Sequence, residues 1–176
     1  MNNHAKLNKY DKAYLKIAKE WGQLSYCQRK KVGAIIVKDK MIISDGYNGT
    51  PSGFENCCED EDNVTKWYVL HAEANAILKV ARSTQSCEDA TLYITLSPCK
   101  DCSKLIHQSG IKRVVYHQEY KDTSGVDFLR KAGVEVEFKL YTGMWHNFFM
   151  FDAWFDESKQ ALADLAAFVH HLKSNN

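Results

Sequence analysis

Ala90-Thr91-Leu92-Tyr93-Ile94-Thr95-Leu96 runs without a break into Ser97-Pro98-Cys99-Lys100-Asp101-Cys102. The first seven residues are mostly β-branched, aromatic or aliphatic, the composition of a buried strand. Pro98 suits the opening of a helix, because its missing N–H is one that a first turn leaves unpaired. Residues 99–109 are expected to form that helix. Cys99 and Cys102, three apart, then share one side of its first turn. A strand feeding a helix here puts both thiols at the carboxyl end of a sheet strand, where open α/β folds bind ligands. The positive end of the helix dipole lowers thiol pKa and favours the metal-binding thiolate.

The rest of the chain supplies the sheet. Residues 9–25 read as a helix with an apolar stripe of Tyr10, Ala13, Tyr14, Ile17, Ala18, Trp21 and Leu24. Val32–Val37 and Met41–Tyr47 read as two strands joined at Lys38-Asp39-Lys40, a hairpin. Residues 50–70 are mostly loop, with Pro51, Gly53 and the acidic run Glu59-Asp60-Glu61-Asp62, expected to be a solvated loop rather than a cation site. A helix over about 71–83 follows. Beyond the central strand come a strand from Ile111 to His117, a helix over 123–132 and a strand from Val134 to Phe138. A hairpin followed by strand–helix–strand units predicts an α/β fold. The specific expectation is a three-layer α/β/α sandwich around a mixed five-stranded sheet.

At 176 residues, 45% of them hydrophobic, one domain over 1–176 is expected, with a core of ordinary size. Its last part, 139–176, joins an aromatic segment (Tyr141, Trp145, Phe148, Phe149, Phe151, Trp154, Phe155) to a helix over 157–172. That tail reads as packing on its own domain, with a subunit interface as the alternative. Lysine plus arginine number 23 against 22 acids, a net charge of +1. Such balance argues against a surface built to track nucleic acid. No apolar run reaches membrane-spanning length, and Met1–Lys6 lacks the apolar core of a signal peptide. The six cysteines therefore read as thiols of a reducing cytoplasm (host cytoplasm for a viral chain) rather than as disulfides.

Upstream of the two thiols stands His71-Ala72-Glu73, at the start of the helix-rich run Ala74-Asn75-Ala76-Ile77-Leu78-Lys79. His71, Cys99 and Cys102 make three zinc ligands of the right softness, and a catalytic zinc keeps its fourth position open. Glu73, two residues from His71, is placed to move protons rather than to ligate. Zinc lowers the pKa of a bound water from about 15.7 to about 7. H-x-E followed by P-C-x-x-C is the signature of zinc nucleobase deaminases. A closed structural zinc site would show two close Cys/His pairs, and a redox pair would need no His-x-Glu.

Four segments in order carry a resemblance: Lys31–Val37, Gly46-Tyr47-Asn48-Gly49-Thr50-Pro51-Ser52-Gly53, His71-Ala72-Glu73-Ala74-Asn75-Ala76-Ile77 and Ser97–Cys102. Together they resemble the deoxycytidylate (dCMP) deaminase family over roughly residues 10–138. The resemblance implies hydrolysis of dCMP to dUMP, one catalytic zinc on His71, Cys99 and Cys102, and Glu73 as proton shuttle. It implies that the backbone at Ala72 and Ser97 meets the pyrimidine edge and that Asn48 meets the sugar. It also implies a homohexamer activated by dCTP and inhibited by dTTP, with Mg²⁺ on the regulatory triphosphate. Tyr47, Asn48 and Gly49 would serve effector, substrate or both.

Arg29, Lys30 and Lys31 form a basic cluster that reads equally as triphosphate ligands or as a solvated turn. Tyr120 and Lys121 resemble a family position near the substrate phosphate, with a surface turn as the alternative. Asn75, one turn beyond His71, reads as a substrate contact, or else as a side chain satisfying a loop. Cys27, Cys57 and Cys58 resemble positions that hold a second, structural zinc in some members. No histidine lies between 58 and 71, so free buried cysteines are the expectation. Competing functions are deamination of dCTP as well as dCMP, and a non-catalytic zinc-stabilised nucleotide sensor.

Overall fold

The computed structural model describes residues 9–138. The expectations for the aromatic tail and its helix lie outside the described residues. Nine elements follow in order: α1 (Lys9–Gly22), β1 (Gly33–Lys38), β2 (Met41–Tyr47), α2 (Ala72–Ala81), β3 (Thr91–Leu96), α3 (Lys100–Gln108), β4 (Arg113–Gln118), α4 (Ser124–Lys131) and β5 (Glu135–Phe138). The strands form one sheet in the order β2-β1-β3-β4-β5. β1 pairs antiparallel with β2 and β3, whereas β3–β4 and β4–β5 are parallel. The mixed five-stranded sheet is as expected from the hairpin and the strand–helix–strand units.

The hairpin turn is made by Asp39 and Lys40, both with positive φ (50° and 63°). That geometry matches the right-handed twist of the flanking strands. Side-chain alternation along the strands builds the layers. Ile35, Val37, Tyr93 and Val115 face α1, where they pack with Tyr14, Leu15 and Ala18. Ala34, Ile36, Leu92, Ile94, Val114 and Tyr116 face the other way, into a core with Ala72, Ala76 and Val80 of α2, Ile106 of α3, and Val126 and Leu129 of α4. One helix therefore covers one face and three cover the other.

The buried side of α1 differs from the expected stripe. It is Asp11, Tyr14, Leu15, Ala18 and Gly22, while Tyr10 and Trp21 are exposed, as is Leu24 just beyond the helix. The cause is a polar anchor that hydrophobicity does not reveal. Arg113 of β4 donates to both Asp11 oxygens at 2.9 Å, and Tyr93 Oη donates to the same carboxylate at 2.7 Å. Arg113 also reaches Glu137 at 2.6 Å. A buried acid that is fully hydrogen-bonded turns the helix toward itself.

Candidate active site and metal centre

His71 is the N-cap of α2 and Cys99 the N-cap of α3, and neither side chain makes a capping hydrogen bond. Ser, Thr, Asp and Asn are preferred at such positions, and a non-capping residue forfeits about 1 kcal/mol. The side chains turn toward each other instead. His71 Nδ1 lies 3.5 Å from Cys99 Sγ and 3.4 Å from Cys102 Sγ. Tetrahedral zinc with Zn–S about 2.3 Å and Zn–N about 2.05 Å would hold nitrogen and sulfur about 3.6 Å apart. The spacing and softness of the three donors thus fit zinc. Among the described residues this is the one group of three that could hold a metal ion.

The two thiols are unequal. Hydrogen bonds from Cys102 and then His71 pull Cys99 down to about 4. The hydrogen bond to Cys99, and next burial, push the Cys102 thiol up. Its hydrogen bond to Cys99 raises His71 above its usual value. Glu73 is buried, at 3% exposure, and burial raises its carboxyl to about 7. That value suits a group that must both take and give a proton near neutrality.

The Gly46–Gly53 loop proves to be the mounting of the zinc helix. Gly49 and Leu70 exchange two backbone hydrogen bonds, at 3.0 and 2.9 Å, which fixes the chain one residue before His71. Ser44 Oγ donates to the Ala76 carbonyl at 2.7 Å. A Cβ on Gly46 would collide with the Ala72 carbonyl oxygen and lie 2.7 Å from Ala76 N. Only glycine lets β2 approach α2 this closely. Asn75 Nδ2 donates to the Tyr47 carbonyl at 2.8 Å, and Asn75 is not among the cavity-lining residues. That bond fits the alternative reading of Asn75, a side chain that satisfies the loop.

A cavity of about 410 Å³, within the usual range for small-molecule sites, opens above the metal ligands. His71, Ala72, Glu73, Ser97 and Cys99 line it, with Asn48, Tyr120 and Lys121. Arg29 and Lys30 line it too, whereas Lys31, Tyr47 and Gly49 do not. Lys31 Nζ reaches back to the Gln23 carbonyl at 3.4 Å. The Asn48 amide is engaged on both sides, accepting from Val32 N and donating to the Lys30 carbonyl, each at 2.8 Å. Ser97 Oγ accepts from Tyr120 N at 2.7 Å, tying the loop after β4 to the one after β3. Glu59, Thr65, Val69 and Glu119 also line the cavity. No local pattern marks them: the long loop between β2 and α2 brings Glu59, Thr65 and Val69 there, and Glu119 directly follows β4.

The cysteine expectation is corrected. Cys27 and Cys58 form a disulfide, with Cα atoms 5.1 Å apart, and Cys57 is free and exposed. Residues separated by 31 positions are brought into bonding range by the loop that precedes α2. Glu59 likewise departs from a solvated acidic run, being buried at 7% exposure.

A family profile described as the cytidine and deoxycytidylate deaminase zinc-binding region matches residues 8–118. The deoxycytidylate deaminase of Enterobacteria phage T4 is 40% identical over 165 residues, covering 69% of this chain and 86% of that protein. The deoxycytidylate deaminase of Saccharomyces cerevisiae is 38% identical over 137 residues, covering 72% of this chain and 44% of the yeast protein. A crystal structure of dCMP deaminase from the cyanophage S-TIM5, in complex with dCMP and dUMP, superposes with a TM-score of 0.74 and 51% identity. It covers 77% of this chain and all of that one. No helix of the described residues is long and apolar enough to cross a membrane. With paired thiols and a histidine at zinc spacing, a buried glutamate beside them and this match, the chain belongs to the cytidine and deoxycytidylate deaminase family of zinc enzymes.

Proposed function

We propose that the chain hydrolyses dCMP to dUMP and ammonia. The observation that carries this is a single cavity lined by His71, Glu73 and Cys99 and also by the cations Arg29, Lys30 and Lys121. Base chemistry and a 5′-phosphate are thereby accommodated together. Bound at His71, Cys99 and Cys102, zinc supplies Lewis-acid activation of a water. Glu73 takes the proton that the water loses on attacking C4 and delivers it to N3. It then moves a proton to the departing amine, so ammonia leaves and a carbonyl remains. The backbone at Ala72 and Ser97 meets the pyrimidine edge, and Asn48 meets the sugar. Arg29 thus serves the substrate phosphate in this reading, with Lys30, Tyr120 and Lys121.

The proposal extends to regulation. Activation by dCTP with Mg²⁺, inhibition by dTTP and a homohexameric assembly are supported by the resemblance to the dCMP deaminase family, in which the Gly46–Gly53 loop helps build the regulatory site. Lys31, Tyr47 and Gly49, which stand outside the cavity, are the residues offered to an effector. The test is turnover of dCMP, dCTP and deoxycytidine, each with and without dCTP–Mg²⁺ or dTTP. Preferred turnover of dCMP is expected, and equal turnover of deoxycytidine would refute the mononucleotide assignment. Glu73→Ala should retain zinc and fold while losing turnover, which separates an enzyme from a nucleotide sensor.

A further inference from the structure

Residues 25–32 connect α1 to β1 without regular structure, yet they carry Arg29 and Lys30 into the cavity. A long cation on a loose loop gains little from a phosphate, because ordering it costs most of what the contact returns. Here the segment is tied at several points. Ser25 Oγ donates to the Asn48 carbonyl at 2.7 Å, and the Asn48 amide bridges Lys30 and Val32. The Cys27–Cys58 disulfide joins the segment to the loop before α2. One residue further on, the Glu59 carboxylate accepts from Gln28 N at 3.1 Å and from Arg29 N at 3.3 Å.

That carboxylate needs an explanation. Glu59 lines a cavity that, in the reading proposed above, receives an anionic phosphate, and a nearby negative charge opposes that binding. Its oxygens are occupied by backbone N–H groups of the residues that carry the cations, which points to a role in placing them. The same loop reaches Arg29 a second time. Arg29 Nη1 donates to Thr65 Oγ1 at 3.3 Å, and Thr65 pairs with Glu59 across an isolated β-bridge. Lys66 N donates to the Cys58 carbonyl at 2.8 Å. Cys58, Glu59 and Thr65 therefore belong to one folded-back unit.

We propose that Glu59 and the Cys27–Cys58 disulfide form a clasp that positions Arg29 and Lys30 for the substrate 5′-phosphate. Preference for a nucleoside monophosphate over the free nucleoside then depends on residues that never touch the base. Glu59 and the two cysteines are positioning residues. The inference rests on the substrate reading above, and its test keeps the two apart.

The test compares kcat/KM for dCMP and for deoxycytidine on zinc-loaded enzyme. The proteins are wild type, Glu59→Ala, Cys27→Ser with Cys58→Ser, Arg29→Ala, and Glu59→Ala with Arg29→Ala. Glu59→Ala removes the oxygen that accepts from Gln28 N and Arg29 N but keeps the disulfide, so it reads the clasp even where the double serine variant fails to fold. The dCMP-to-deoxycytidine ratio should fall about tenfold in Glu59→Ala, as misaligning one charge-assisted phosphate contact predicts. In the Arg29→Ala background Glu59→Ala should lower it by less than it does in wild type, since the two changes share Arg29. A wild-type ratio near unity would overturn the substrate reading and the clasp with it. A high wild-type ratio that Glu59→Ala leaves intact would overturn the clasp alone. So would additive losses in the double variant, or equal losses on both substrates.

Discussion

Replacing Gly46 by alanine tests how the sheet holds the zinc helix. The added Cβ would lie 2.7 Å from Ala76 N, where 3.4 Å is the onset of ordinary contact. The atoms it meets are backbone of α2, which cannot rotate aside as a side chain would. Relieving the Ala76 contact alone moves α2 from β2 by about 0.7 Å, and the Ala72 carbonyl demands more. His71 and Glu73 flank Ala72, so that displacement reaches both. A misplacement near 1 Å costs on the order of 100-fold in rate, so Gly46→Ala should lower kcat by roughly 30- to 100-fold. Overpacking of this kind should also cost about 1–3 kcal/mol of stability. The assay is steady-state deamination of dCMP at saturating zinc, with metal content and circular dichroism measured on the same samples. A folded, zinc-replete variant with wild-type kcat would refute the reasoning, for it would mean that α2 need not sit where the glycine lets it.

Glu73 carries a stability cost of its own. Its folded pKa of about 7 lies above the ordinary 4.5, so burial penalises the ionised form. The penalty is absent below pH 4.5, grows as pH rises and is complete above 7. In metal-free protein Glu73→Gln should therefore be more stable than wild type at pH 8 by about 3 kcal/mol, and equal to it near pH 4. Denaturant melts at the two pH values check this, and a difference independent of pH would refute it. Zinc uptake near neutrality should release protons, since Cys102 is held protonated by its bond to Cys99 and by burial. Calorimetry in buffers of different ionisation enthalpy counts them, and a count of zero would contradict the assignment. Asp11→Asn should destabilise by about 2–3 kcal/mol, because Arg113 loses a bidentate partner. Burial opposes the ionised Asp11, but Arg113 and Tyr93 outweigh it and hold its pKa below 3.8. The difference between wild type and Asp11→Asn should thus persist above pH 4 and shrink as pH falls below it.

What could be read from the chain followed from local rules. Pro98 marked a helix start, and the spacing of Cys99 and Cys102 marked one side of its first turn. The alternation and β-branching of 90–96 marked the strand that leads to them. These depend on residues within a few positions of one another. The inward face of α1 was misread because Asp11 is buried by Arg113, 102 residues away in sequence. The same holds for Cys27 and Cys58, and for Glu59 beneath Gln28 and Arg29. Each is a polar or sulfur group whose partner is set by tertiary closure, and no period or propensity encodes it. Asn75 shows a subtler limit. Its place one turn beyond His71 follows from the helix, but an amide can serve a ligand or a carbonyl equally well, and its bond to Tyr47 O is set by how β2 lies on α2.

The arrangement explains why the Gly46–Gly53 loop accompanies the metal ligands in sequence. His71 and Cys99 occupy N-cap positions without capping, so both helix starts give up local stability to face the metal. Something outside the helices must hold them. For α2 that support comes from the Gly49–Leu70 bridge, the Ser44 and Asn75 hydrogen bonds and the bare Cα of Gly46. For α3 it comes in part from α4. A Cβ on Gly125 would fall 2.6 Å from Ser103 Oγ and 2.8 Å from the Cys99 carbonyl carbon, so α4 rests directly on the first turn that carries Cys99 and Cys102. The two ligand-bearing helix starts are thus fixed by residues that bind no metal. A substitution at Gly46 or Gly125 should therefore reach the chemistry while leaving every ligand in the sequence intact.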